Sequence, residues 1–296
     1  MKRKIFIMGA STGIGRALAI NYASDNTILG LAARRIELLE ELNFTNMTPG
    51  KKFRDAIKNN SPLIIPGAIN AYSAKLAEKA NHKAIYLSGS GVAAASYGLP
   101  DLGITSLEDV LIDAKRITDA TDLPLLVDID TGWGGSEEIS NTIVEMENAG
   151  VAAVHIEDQV YDKRCGHRPN KQIVSVAEMQ DRLKAAVDAK KDESFFIMAR
   201  TDALASEGIE KAIERCGEYL KVGADGIFFE AAISLDQYKE FNKNFSVPLL
   251  ANITEFGKTP LFTQKELSDV GVDIVLYPLT AFRAMSLSAE KILLNS

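Results

Sequence analysis

The chain has 296 residues, 46% hydrophobic and 25% charged, the composition of an ordinary soluble globular protein rather than of a disordered, collagenous or coiled-coil one. Lysine plus arginine number 33 against 40 aspartates and glutamates, a net charge of −7, so no global positive field draws the chain to nucleic acid or to an anionic membrane. Cys165 and Cys216 lie far apart without metal-type spacing, no apolar run approaches the ~18 residues that span a bilayer, and the basic start Met1 to Lys4 leads into an apolar run that stops at Gly9. Together these point to a cytoplasmic protein with no disulfide scaffold.

The opening segment reads Lys4-Ile5-Phe6-Ile7-Met8, then Gly9-Ala10-Ser11-Thr12-Gly13-Ile14-Gly15, then a helical stretch from Arg16 to Ala23. A second apolar run, Ile28 to Ala33, leads into Arg34-Arg35. A strand entering a glycine turn that opens a helix turns backbone N–H groups toward a phosphate. Over about the first 42 residues this resembles the start of a short-chain dehydrogenase, with the arginines where a 2′-phosphate would sit. None of the tyrosines at 22, 72, 86, 97, 161, 219, 238 and 277 has lysine four residues on, and two strands do not make a dinucleotide sheet. Residues 1–44 are therefore expected to be a Rossmann-like β-α-β fragment without dehydrogenase activity, and residues 45–296 a separate domain.

From about residue 62 short apolar runs recur: Leu63-Ile65, Ala84-Leu87, Leu125-Val127, Ala152-Val154, Phe195-Met198, Gly226-Phe229, Leu249-Ala251 and Asp273-Leu276. Amphipathic stretches separate them, such as Glu108 to Ile117 with apolar residues at helical spacing. Gly150, Gly223 and Gly271 stand where a helix ends in left-handed geometry and the chain turns into the next strand. Eight strand-helix units over about 235 residues predict an α/β fold of the (β/α)8 TIM-barrel type, ending after its eighth helix; a doubly wound open sheet is the alternative.

Barrel strands present their C-terminal ends at one mouth, and residues two apart on a strand share a face. The second strand ends with Tyr86 and Ser88, the third with Asp128 and Asp130, the fourth with His155 and Glu157. The fifth delivers Arg200 and Asp202, the sixth Glu230, the seventh Asn252 and Thr254. One such pair is a solvated strand end; repetition across six strands points to a site, since buried charges are costly unless paired or metal-bound. Asp128 and Asp130, with Glu157 expected close by, are an oxygen-rich set that suits magnesium. His155 with Glu157 reads equally as an internal ion pair, and zinc through Cys165, His167 and His155 lacks the paired spacing of structural sites.

After the fourth strand comes Gln159-Val160-Tyr161-Asp162-Lys163-Arg164-Cys165-Gly166-His167-Arg168-Pro169-Asn170. A cysteine among Lys163, Arg164, His167 and Arg168 stands in a setting that favours thiolate, and Gly166 lets the loop move as a lid. Cys216, inside the helix Ile209 to Lys221, reads as a small buried hydrophobe.

Lys163-Arg164-Cys165-Gly166-His167, with Asp128-Ile129-Asp130, Tyr86-Leu87-Ser88-Gly89 and Ala251-Asn252-Ile253-Thr254-Glu255-Phe256-Gly257, resembles the isocitrate lyase and phosphoenolpyruvate mutase superfamily from about Thr48 to Ala289. The resemblance implies a magnesium-dependent carbon–carbon lyase that cleaves (2S,3R)-2-methylisocitrate to pyruvate and succinate, a step of the methylcitrate cycle of propionate catabolism. By matching position it implies Asp128 and Asp130 for the metal. Ser88, Gly89, Ser90 and Asp101 fall at the pyruvate-forming end, and Gly166, Arg200, Glu230, Asn252, Ile253, Thr254 and Arg283 complete the substrate shell. Ser90 stands where close relatives carry glycine. Cys165 is implied as the acid that protonates the succinate carbanion and Arg200 as the group that stabilises its charge, with His155 and Glu157 in support. Tyr86 is our choice of base.

Relatives continue through further helices and assemble as tetramers, so the chain's end at Ser296 and its dehydrogenase-like start lead us to expect a fused, shortened copy whose homo-oligomeric assembly and activity are open. Isocitrate lyase, oxaloacetate decarboxylase and phosphonopyruvate hydrolase or mutase activities stay as alternatives, as does an inactive barrel.

Overall fold

The computed structural model describes residues 3–22, 27–35, 38, 47–168 and 170–295, and the chain divides into two compact units, Met1–Thr48 and Pro49–Ser296. In the first unit, strand β1 (Arg3–Met8) runs parallel to β2 (Thr27–Ala32), with the helix Gly13–Tyr22 between them in sequence. Ile7, Ala10 and Ala19 form its small buried core, with Ile5, Leu29 and Leu31 packed on it, while Phe6 and Met8 of β1 are exposed. Gly9 N–H donates to Ala32 O at 2.7 Å and Gly9 takes φ 73°, so the turn has the shape its glycines predict. This is the β-α-β fragment read from the sequence.

The second unit is an eight-stranded parallel barrel. Its strands are β3 (Leu63–Pro66), β4 (Ile85–Leu87), β5 (Leu125–Asp128), β6 (Ala153–Glu157), β7 (Phe196–Thr201), β8 (Gly226–Phe229), β9 (Leu249–Asn252) and β10 (Ile274–Tyr277). They neighbour one another in the order β3-β10-β9-β8-β7-β6-β5-β4, and Ala68 N–H, donating to Tyr86 O at 2.8 Å, closes β3 against β4. Closure leaves no open edge between the strands. At the β3–β10 seam the backbones approach so closely that a Cβ at Gly67 would overlap the Pro278 carbonyl.

Alternation along the strands divides the apolar residues into two cores. Ile65, Leu126, Phe196, Met198, Phe228, Leu250 and Leu276 fill the barrel interior. Leu87, Val127, Val154, Ile197, Phe229 and Val275 face the surrounding helices. A helix not foreseen in the sequence, Pro49–Asn59, adds Phe53 and Ala56 to the inner core, and Phe53 meets Phe196 edge-on with centroids 5.3 Å apart. Because Phe196 opens β7, this helix caps the barrel at the N-terminal ends of its strands.

Capping and periodicity explain the outer helices. In Leu107–Thr118 the Ser106 hydroxyl accepts the Asp109 N–H and Asp109 reaches back to the Ser106 N–H, and Val110, Ala114 and Ile117 bury one face. Helix Ile209–Lys221 buries Cys216 completely, as its small apolar character predicts. Gly150, Gly223 and Gly271 take φ of 77°, 104° and 84°, the left-handed turns that return the chain to β6, β8 and β10. The final helix, Thr280–Leu293, has no buried residue. No helix among the described residues is long and apolar enough to cross a membrane.

Candidate active site

The polar strand ends converge as the pattern predicts, on a cavity of about 430 Å³ at the C-terminal mouth of the barrel. Tyr86, Ser88, Ser90, Asp101, Asp128, Cys165, Gly166, Arg200, Glu230, Asn252, Thr254 and Arg283 line it. Lys163, His167 and Arg168, read from the sequence as the basic setting of Cys165, line it as well, and so do Phe228, Glu255, Phe256, Gly257, Pro278 and Leu279, for which no individual role was read. His155, Glu157, Gly89, Ile253 and Asp130 do not line the cavity surface.

Asp128 ends β5, and its Oδ1 accepts the Asp130 N–H at 3.0 Å while Oδ2 accepts the Gly89 N–H at 3.3 Å. Asp130 takes φ 47°, a left-handed bend that turns its carboxylate back beside Asp128. A Cβ at Gly89 would stand 3.4 Å from oxygens of both aspartates, so the helix Gly89–Tyr97 starts hard against them. One oxygen from each of Asp128, Asp130 and Glu157 falls within 4.8 Å of the others, and all three residues are buried. This is the set that could hold a metal ion among the described residues. Glu157 Oε1 is buried without a partner, which fits a group meant for a cation or its water. Hard oxygen donors and no thiolate or imidazole suit magnesium, and the Cys165-His167-His155 zinc set does not assemble.

Charge at this cluster is unevenly shared. Burial would raise Asp128, but the Lys163 and Arg200 charges oppose it and its carboxyl is held low. Asp130 is pushed up by burial and by Asp128, against the opposing pull of Lys163. Lys163 Nζ lies 2.6 Å from Asp130 Oδ1 and 2.9 Å from Asp101 Oδ1. Glu157 is pushed well up, chiefly by burial.

His155 and Glu157 do not pair with each other. His155 Nε2 lies 2.9 Å from the Tyr86 hydroxyl and 3.6 Å from Asp128 Oδ1; burial pulls its imidazole down to about 4, so it is neutral. Glu157 Oε2 instead sits 3.1 Å from Arg200 NH1. Both lie beneath the cavity, supporting Tyr86 and Arg200 from behind.

Arg200, the last residue but one of β7, stands among three carboxylates. Its Nε lies 3.0 Å from Asp202 Oδ2, NH1 faces Glu157, and NH2 lies 3.4 Å from Glu230 Oε2. Phe228 packs under the guanidinium, 5.2 Å from ring centroid to Cζ. Burial opposes the charge, but Asp202, Glu157 and Glu230 outweigh it and keep Arg200 protonated.

The loop after β6 folds over the mouth. His167 Nδ1 accepts the Lys258 N–H at 3.0 Å, which leaves the proton of the neutral ring on Nε2, 3.3 Å from Glu230 Oε1. Gly166 passes so close to Arg200 and Glu230 that a Cβ there would overlap the guanidinium. The thiolate expected for Cys165 is corrected: burial pushes its thiol up, because Lys163 is turned away into Asp101 and Asp130 rather than toward the sulfur. Ile253 is also corrected as a side-chain contact. It is buried in the core facing the helices, since it alternates with Asn252 and Thr254 on its strand end. Arg283, from the last helix, donates to Thr254 Oγ1 at 2.9 Å and pairs with Glu255. Trp133, the chain's single tryptophan, stands three residues after Asp130 with φ 59° and donates its indole N–H to Thr105 O at 2.8 Å.

Comparison with known proteins agrees with this geometry. Residues 53–294 match the family described as phosphoenolpyruvate phosphomutase. A 2-methylisocitrate lyase of Shewanella oneidensis is 61% identical over 244 residues, covering 82% of this chain and 84% of that protein. The 2-methylisocitrate lyase of Escherichia coli is 58% identical over 246 residues, 83% of each chain. Among solved structures, 2,3-dimethylmalate lyase superposes with a TM-score of 0.80 at 32% identity, covering 84% of both chains. A phosphonopyruvate hydrolase bound to oxalate and Mg²⁺ gives 0.74 at 29% identity, covering 84% of this chain and 87% of that one. The barrel, its carboxylate cluster and these likenesses together place the chain in the phosphoenolpyruvate phosphomutase family.

Proposed function

We propose that the chain is a magnesium-dependent carbon–carbon lyase that cleaves (2S,3R)-2-methylisocitrate to pyruvate and succinate. The observation that carries the reading is the meeting of a cysteine lid with a buried carboxylate cluster over one cavity, at 58–61% identity to proteins named for that activity. The step belongs to the methylcitrate cycle of propionate catabolism. We place it in the cytoplasm, a reading supported by two free cysteines.

Magnesium held by Asp128 and Asp130, with Glu157 beside them, would supply the positive charge that stabilises the substrate's alkoxide. Tyr86 takes the hydroxyl proton. Burial and the Asp128 charge raise its phenol well above the ordinary range, so it starts protonated and must release its own proton as it takes the substrate's; His155 Nε2, 2.9 Å away, is the acceptor in reach, and the Asp128 carboxylate, 3.6 Å from that nitrogen, would offset the buried imidazolium so formed. The C–C bond then breaks, its electron pair remaining on the succinate fragment as a carbanion spread onto the adjacent carboxylate. Arg200 faces that charge, and the Cys165 thiol gives the carbanion its proton, which its raised pKa keeps available at neutral pH. Ser88 and Ser90 bind the pyruvate-forming end with Asp101 close by, the Gly89 N–H acts behind them by holding Asp128, and Gly166, Glu230, Asn252, Thr254 and Arg283 shape the remaining wall.

Incubation with racemic 2-methylisocitrate and magnesium is expected to release pyruvate and succinate in equal amounts. Isocitrate run in parallel reads the preference, which one methyl group sets by about 1–3 kcal/mol. Absence of pyruvate overturns the reading. We also read the chain as a homo-oligomer, supported by Leu287, Ile292, Leu293 and Leu294 exposed at the end of the chain; light scattering in solution tests it.

A further inference from the structure

Lys171 lies outside the cavity, at the base of the loop that carries Cys165. That base is pinned: Val160 N–H donates to Gln172 O at 3.0 Å, Val174 N–H donates to Asp158 O at 2.8 Å, and Gln159 pairs with Ile173. From this fixed point the Lys171 ammonium reaches Asp202 Oδ1 at 2.6 Å, with the lysine side chain 3% exposed and the aspartate fully buried. Asp202 is the residue whose two oxygens receive Arg200 Nε at 3.0 Å and NH2 at 3.3 Å.

The arrangement poses a charge problem. A guanidinium meant to face an anionic substrate is surrounded by three carboxylates, of Asp202, Glu157 and Glu230. Asp202 is the one that grips it through two nitrogens and fixes its plane, and a lone aspartate in that position would also cancel the arginine's charge. Lys171 is the second cation on Asp202. With it, Asp202 is balanced by a cation of its own and no longer draws on the charge of Arg200, so only Glu157 and Glu230 are left to offset the guanidinium that faces the cavity. Desolvation makes the balance matter, since a buried carboxylate with one partner binds it far more strongly than a solvated one.

We propose that Lys171 is a positioning residue for the lyase reaction: by neutralising Asp202 it lets that aspartate orient Arg200 without cancelling the positive charge Arg200 directs at the carboxylate of the succinate half. The inference rests on the reading of Arg200 as the anion-facing group. It also ties the base of the Cys165 loop to the anion site through a single buried ion pair.

The test compares wild type, Lys171→Met, Lys171→Arg, Asp202→Asn and the double variant Lys171→Met/Asp202→Asn. Succinate binding is measured by calorimetry with magnesium present, and kcat and KM with 2-methylisocitrate. Lys171→Met is expected to weaken succinate binding and raise KM by about tenfold or more, with Lys171→Arg close to wild type. The double variant, which removes both charges, is expected to bind succinate better than Lys171→Met alone, a non-additive recovery that loss of packing at the loop base cannot produce. A double variant no better than Lys171→Met, or a Lys171→Met protein with wild-type affinity, overturns the proposal. If Lys171→Met fails to fold, the Lys171→Arg affinity and the comparison of Asp202→Asn with the double variant decide it: with Asp202 neutral, loss of Lys171 is expected to change succinate binding less than about threefold. Wild type that binds succinate but releases no pyruvate overturns the proposed function while leaving this comparison intact. Wild type that binds no succinate overturns the inference itself.

Discussion

The Tyr86 and His155 rings stack 5.7 Å apart at 15°, and the Tyr86 hydroxyl meets His155 Nε2 at 2.9 Å. Phe228 closes the far side of His155 edge-on, at 5.0 Å between centroids, so the imidazole is held in an aromatic slot under the cavity. Tyr86→Phe keeps the ring and removes the hydroxyl. The variant should fold, losing at most about 1–3 kcal/mol for the unpartnered imidazole nitrogen. Its kcat should fall about 10²- to 10⁴-fold if Tyr86 is the proton acceptor. Turnover equal to wild type assigns the base elsewhere.

Cys165→Ser is expected to lose about 10²- to 10⁴-fold in kcat while binding succinate as wild type does, because a hydroxyl is a far weaker acid than a thiol. Cys216→Ser, which puts a hydroxyl into the core between helix and barrel, should lower the melting temperature and leave kcat unchanged. The pH dependence has a definite sign. Burial raises the Cys165 thiol above its ordinary value of 9.0, so the rate of alkylation by iodoacetamide should still be climbing with pH at that value rather than levelling off below it, and bound succinate should slow it. Alkylation that is already maximal at neutral pH would restore the thiolate.

Asp130→Ala and excess chelator are each expected to abolish pyruvate release, and calorimetry should show loss of Mn²⁺ binding in the variant. Undiminished turnover in chelator sinks the metal assignment.

Two glycines separate folding from function. At Gly67 an alanine Cβ meets the Pro278 carbonyl, a backbone atom in the β3–β10 seam, so Gly67→Ala should cost about 1–3 kcal/mol of stability or more. Gly166→Ala presses on the Arg200 and Glu230 side chains in a loop and should leave the melting temperature near wild type, while KM rises roughly 5- to 150-fold for the same energy. Equal melting temperatures for Gly67→Ala and wild type would contradict the seam geometry.

The first 42 residues are expected to bind no nicotinamide cofactor, because the two strands and one helix among the described residues there do not make a dinucleotide-binding sheet. Titration with NADPH should give no saturable change in its fluorescence; micromolar binding would overturn this.

The barrel was legible because each of its strands is an apolar run too short for a helix, and because left-handed glycines mark three of the turns into them. The polar strand ends were legible from period two alone, and Tyr86, Asp128, Arg200 and Asn252 came together as that period requires. Lys163 on Asp130 and Lys171 on Asp202 were not, since a long flexible side chain can reach any carboxylate within its length and the sequence does not record which. The same blindness misread Cys165: basic neighbours in sequence imply a positive environment only if their side chains point at the sulfur. Helix Pro49–Asn59 escaped because its role as a plug is defined by contact with Phe196, far along the chain. Ile253 shows the opposite failing, a motif position carried over whole although only its flanking residues face the mouth.

Trp133 stands three residues beyond Asp130, in the same tight bend, and the chain has no other tryptophan. Its indole is half-buried and tethered to the Thr105 carbonyl, on the segment between the Gly89–Tyr97 helix and the next. Emission excited at the red edge of the protein's absorption therefore comes from one indole, three residues along the chain from Asp130, and the native protein carries its own spectroscopic gauge of that bend. A titration that shifts the bend is readable at nanomolar protein without label or coupled enzyme.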